Sequence, residues 1–116
     1  MFNRPYRMTL NHVHDTVRIT EGGETLTLLV DADPMRLTAA LHNCVAIIKA
    51  CNDDTPPEQW EQAALAFAGA IFGEAQAEAL MQFYRHDGVC VINICGQYFQ
   101  GRLTRLIDKA QRRAKK

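Results

Sequence analysis

The dipeptide Asp33-Pro34 divides this sequence between two hydrophobic periods, and that change constrains the fold more than any other feature of the chain. Before it, apolar and polar residues alternate: Tyr6, Met8 and Leu10, then Val17 and Ile19. Thr25 to Val30 follows as a run of β-branched and aliphatic residues. A period of two is that of half-buried strands. Glu21-Gly22-Gly23-Glu24 has the glycines that a tight hairpin turn requires, and the polar stretch His12 to Asp15 is expected to turn the chain between the first two runs. Two or three antiparallel strands are expected. A hairpin or meander of this size is marginal alone, so it must pack on the helical remainder of the chain.

After Asp33-Pro34 the period is helical. Asp33 suits an N-cap and Pro34 the first helical position; Leu37, Leu41, Cys44, Ile48 and Cys51 then recur on one stripe, ended by Asn52-Asp53-Asp54. Thr55-Pro56-Pro57-Glu58 predicts a second helix opened by a capping box between Thr55 and Glu58, with Trp60, Ala64, Phe67 and Ile71 buried and Gly73 as its stop. A third helix is expected from about Glu74 to Arg85, with Ala77, Leu80, Met81 and Tyr84 on one side. Asp87 caps a fourth, whose apolar positions include Val91, Cys95, Tyr98, Phe99, Leu103, Leu106 and Ala110. Gly96 in that helix allows a close crossing and Gly101 a bend, each at a cost of about 1 kcal/mol relative to alanine. The expected fold class is α+β: one domain, 1–116, with a β region at 1–30 and about four helices over 31–116.

A chain of 116 residues can bury a core without metal or disulfides. No apolar run approaches the roughly 18 residues that span a bilayer. Met1-Phe2-Asn3-Arg4-Pro5 lacks the apolar core and cleavage site of a signal peptide, so a cytoplasmic protein is expected. In that compartment the four cysteines, Cys44, Cys51, Cys90 and Cys95, stay reduced. Their spacing is not that of a structural zinc site, and they are expected in the core.

No catalytic signature is present. There is no phosphate loop, no H-E-x-x-H and no G-x-S-x-G, and the chain contains no serine. His12 and His14 alternate at a strand end beside Asp15, an arrangement open to a metal or proton-transfer pair and equally to polar turn residues; the second reading is adopted. His86 reads as a cation at a helix C-terminus. We expect no enzyme activity, no cofactor and no metal.

Charge is polarised along the chain. Seven of the 13 basic residues lie between Arg102 and Lys116, opposed there only by Asp108, while the other 12 acids lie between Asp15 and Asp87. The basic run admits three readings: the solvated side of an amphipathic helix, a phosphate-contacting surface, or one end of a head-to-tail contact with the acidic second and third helices of another copy. Nucleic acid is disfavoured, because the run lacks interleaved aromatics and the rest of the chain is acidic. Ala63, Ala64, Ala66, Ala68 and Ala70 spread small residues around the second helix, permitting close approach within the core or by a partner segment.

The segment Ile71-Phe72-Gly73-Glu74-Ala75-Gln76-Ala77-Glu78-Ala79-Leu80, then Gln82-Phe83-Tyr84, then the basic ending from Leu103 to Lys116, resembles small helical tail assembly proteins of siphophages and prophages, in particular the tail assembly chaperones encoded ahead of the tape measure gene. The likeness covers residues 71–116 most closely. It implies a non-enzymatic protein of the host cytoplasm, acting in several copies, that coats the tape measure protein and recruits tail tube subunits. Family members are often made in two lengths by frameshifting, and Lys115-Lys116 is compatible with a slippery adenine run. Trp60, Phe67, Phe72, Phe83 and Tyr84, with Arg102, Arg105, Lys109, Arg112 and Arg113, are the residues expected to meet a partner; Tyr98 and Phe99 join an aromatic set holding both core and contact residues. The rivals are a phage-encoded inhibitor or adaptor of one host protein, and a nucleic-acid-binding module using the basic helix.

Overall fold

Two glycines at the centre of a two-residue turn open the architecture. Gly22 and Gly23 have φ of +58° and +85°, the left-handed pair that a turn matched to strand twist requires. They join β1 (Val13–Glu21) to β2 (Glu24–Ala32) in an antiparallel hairpin whose register runs from Val13↔Ala32 to Glu21↔Glu24. The structure, a computed structural model, describes residues 12–114, with side chains to 112. The alternating run Tyr6, Met8 and Leu10 lies outside the described residues. Val13, Leu28 and Val30 are buried, with Val17, Ile19 and Leu26 packed half-buried beside them, while His14, Thr16, Arg18 and Thr20 face outward.

The hairpin is followed by four helices, an α+β fold. They are α1 (Pro34–Lys49), α2 (Pro57–Phe72), α3 (Glu74–Phe83) and a last helix that runs without a break through α4 (Gly88–Tyr98), a π-helical segment (Phe99–Leu103) and α5 (Thr104–Ala114). Helix α2 is central, packing on α1, α3, α4 and β2. Asp33 caps α1 as expected, accepting from the Met35 N–H at 2.8 Å. Leu37, Leu41 and Cys44 are buried. Helix α1 ends at Lys49, so Cys51 lies beyond it and the buried stripe stops short of that residue.

Several expectations are corrected. His12 to Asp15 is not a turn, because Val13 is drawn into the core and pairs with Ala32, placing His14 and Asp15 in the strand. The Thr55–Glu58 capping box does not form. The Thr55 hydroxyl instead accepts from the Asn52 N–H at 2.8 Å, and α2 begins one residue later with Pro56 as N-cap and Pro57 first. Two prolines bring no N–H to satisfy, so little is lost. Helix α3 stops at Phe83, before Arg85, because Arg85 and His86 take left-handed φ of 55° and 64°. Gly96 marks no close crossing: a Cβ there would meet nothing within 4 Å. Gly88 does, since its Cβ would stand 2.6 Å from the Trp60 carbonyl.

The π segment contains Gly101 and explains which side of α5 is buried. Four-residue spacing drifts about 40° per step around a straight α-helix. Cys95, Phe99, Leu103 and Ile107 nevertheless share the core side, because the wider turn takes up the extra residue. Ile107 is thus buried in a place where the α-helical pattern favoured Leu106, which is half-buried.

Candidate partner-binding surface

The aromatic residues separate into interior and rim. Phe67 and Phe72 are buried; Phe67 meets Phe99 edge-on at 6.3 Å between ring centroids, and Phe72 stacks on Tyr98 at 5.8 Å. These rings hold α2 against the last helix; Phe67 and Phe72 are spent in that packing, while Tyr98 and Phe99 remain half-buried. Trp60, Phe83 and Tyr84 are half-buried, with Phe83 and Tyr84 in edge contact at 5.2 Å. Trp60 is half-buried rather than on the fully buried face expected for it, and its backbone stands against Gly88. Of the alanines, Ala63, Ala64 and Ala68 are buried, so small residues on α2 serve internal packing first.

The basic residues separate too. Arg102, though exposed, reaches across to β1: its Nε and Nη2 donate to the two oxygens of Asp15 at 2.6 and 2.7 Å, and the Tyr98 hydroxyl donates to the same carboxylate at 2.7 Å. Asp15 occupies an inward strand position between Val13 and Val17, and its side chain is only 7% exposed. The Arg102 guanidinium, opposing the cost of burial and aided by the Tyr98 hydroxyl, holds its carboxyl below the usual carboxylate range. Burial and the adjacent carboxylate push the Tyr98 hydroxyl well up. Arg112 pairs with Asp108 one turn away, and Arg105 donates to the Gly101 carbonyl at 2.5 Å. Arg105 and Lys109 are exposed and form no ion pair with a described residue. The side chain of Arg113 lies outside the described residues.

What faces outward otherwise is apolar in a few places: Leu29, Met35, Ile47 and Val89. Ile47 borders a cleft of about 410 Å³ between α1 and α2, lined by Ala50, Cys51, Ala63 and Ala66 with Gln59 and Gln62 at its edge. On β2, Gln76 of α3 imitates a neighbouring strand. Its amide accepts from the Leu29 N–H at 2.8 Å and donates to the Leu29 carbonyl at 2.7 Å, while also donating to the Phe72 carbonyl. His86, in the turn between α3 and α4, meets Glu61 of α2 at 2.9 Å rather than standing alone at a helix end.

All four cysteines are free. Cys44 and Cys95 are buried as expected, Cys95 with a thiol pushed up to about 12 by burial, whereas Cys51 and Cys90 are only partly covered. The carboxylate beside His12 and His14 is Asp31, brought across from β2, not Asp15, which faces the other side of the sheet. No described helix is long and apolar enough to cross a membrane. Comparison of the chain with protein families, curated proteins and solved structures finds no match.

Proposed function

We propose that this chain is a non-enzymatic protein-binding domain acting as the phage tail assembly chaperones do, in the host cytoplasm and in several copies. In this reading the copies associate through oppositely charged ends and hold apolar segments of the tape measure protein for tail tube subunits to enclose. The observation that carries it is the charge left over after folding. Arg105 and Lys109 on α5 are exposed without an ion-pair partner among the described residues, as are Asp53, Asp54, Glu58, Glu74 and Glu78 in the α1–α2 turn, α2 and α3. Opposite charges on separate elements favour steered contact between copies and lose force with salt. The cleft beside Ile47 suits the apolar side of a helical segment.

Light scattering on a sizing column, run over a range of protein concentrations at low and high salt, tests this. Oligomers that dissociate on salt addition are expected, and co-expression with a tape measure fragment should then keep that fragment soluble. A monomer under every condition removes the chaperone reading and favours a one-to-one inhibitor or adaptor. Steeply salt-dependent binding of DNA or RNA by the monomer favours the nucleic-acid reading.

A further inference from the structure

The open end of the hairpin gathers three metal-ligating side chains. Leu29 turns its N–H and C=O toward Gln76 and away from β1, so Thr16↔Leu29 is a pair without mutual hydrogen bonds. By alternation His14↔Asp31, two residues along, is another. Side chains approach most closely in pairs of that kind. His12, two residues before His14, falls on the same side, its ring centroid 6.0 Å from that of His14. Asp31 Oδ1 lies 3.0 Å from His12 Nδ1 and 3.4 Å from His14 Nδ1, and one ligand atom from each residue fits within a 4.8 Å span.

Zinc bonded to nitrogen and oxygen at about 2.0–2.2 Å in a tetrahedron separates its ligand atoms by roughly 3.3 Å. Both distances from Asp31 are already close to that, and the exposed His14 imidazole can close the third by a rotamer adjustment toward the half-buried His12. The strand under the site is held on both sides. Gln76 clamps Leu29 two residues before Asp31, and α1 starts at Pro34 three residues after it. Asp33 is engaged as the α1 cap, which leaves a ligand set of two imidazoles and one carboxylate. That set is borderline in softness and favours zinc-like cations over magnesium or calcium.

We propose that His12, His14 and Asp31 bind one divalent cation of the zinc class, with water completing the coordination. The ion fastens the chain entering β1 to the end of β2. His12 and Asp31 also line a cleft of about 520 Å³, so the open coordination position is reached from solvent.

Untagged, metal-free protein titrated with Co²⁺ and then with competing Zn²⁺ tests the site. One equivalent should bind with weak visible bands typical of nitrogen and oxygen ligation and without thiolate charge-transfer absorption. His14→Ala and the near-isosteric Asp31→Asn should each weaken binding by about tenfold or more while leaving the far-ultraviolet circular dichroism unchanged. Both side chains are more than half exposed, and should one variant fail to fold, the other still reports. His86→Ala should bind as the parent does. Thiolate bands, affinity indifferent to His14 and Asp31, loss of binding in the His86 variant, or no saturable uptake would each overturn the assignment.

Discussion

At the scale of the residue, Asp15 is the most instructive position. In the sequence it is one acid in the polar stretch His12 to Asp15 and reads as part of a turn for that polarity. Its partners, Tyr98 and Arg102, are 83 and 87 positions away. No local pattern could reveal them, although an acid in phase with Val13 and Val17 was a visible signal that an inward position needed a polar partner. Hydrogen bonds to charged groups contribute about 1.5–3 kcal/mol. Tyr98→Phe should therefore lower stability by about 1.5 kcal/mol in urea unfolding, with the fold retained because Arg102 still faces Asp15. The same tie gives Arg102 an ion-pair partner within the chain, which Arg105 and Lys109 lack among the described residues, a distinction that counting basic residues could not make.

At the scale of the element, boundaries marked by backbone chemistry were legible and those set by packing were not. Asp33-Pro34, Gly22-Gly23, Gly73 and Asp87 act as their residue types imply. Thr55 does not, since Asn52 competes for its hydroxyl. The glycines of the last helix show how far packing escapes a one-dimensional reading. Gly88 looks like a turn residue and is a contact point where α4 meets the α2 backbone, whereas Gly96 looks like a crossing point and faces open space. Gly88→Ala should destabilise by about 2 kcal/mol, since backbone atoms cannot move aside as a side chain can. Gly96→Ala should stabilise by up to about 1 kcal/mol through helix propensity. Thermal unfolding of the two variants side by side checks both signs; equal effects would refute the packing assigned to Gly88.

At the scale of the molecule, the described residues form an elongated body, 58 × 34 × 23 Å, and the proposed self-association depends on charge held by particular side chains. Reversing Arg105 and Lys109 together to glutamate should abolish salt-sensitive oligomers without unfolding the monomer, since both are exposed. Restoring them by adding a variant with complementary reversals at Glu74 and Glu78 would identify the contacting faces; failure of rescue across all acidic positions would place the interface elsewhere. The α+β architecture was legible in periodicity, but the division of Trp60, Phe67, Phe72, Phe83, Tyr84, Tyr98 and Phe99 into core and rim was not, because all seven sit in helical patterns that three dimensions must resolve. The link from Asp15 to Tyr98 and Arg102 also has a consequence for synthesis. A ribosome making this chain releases the hairpin long before either partner of Asp15 exists, so an acid destined for the interior must stay in water meanwhile. The inward seat of Asp15 is complete only once residues 98–102 have left the ribosome, and a stall before then would leave the hairpin imperfectly seated for proteases to find.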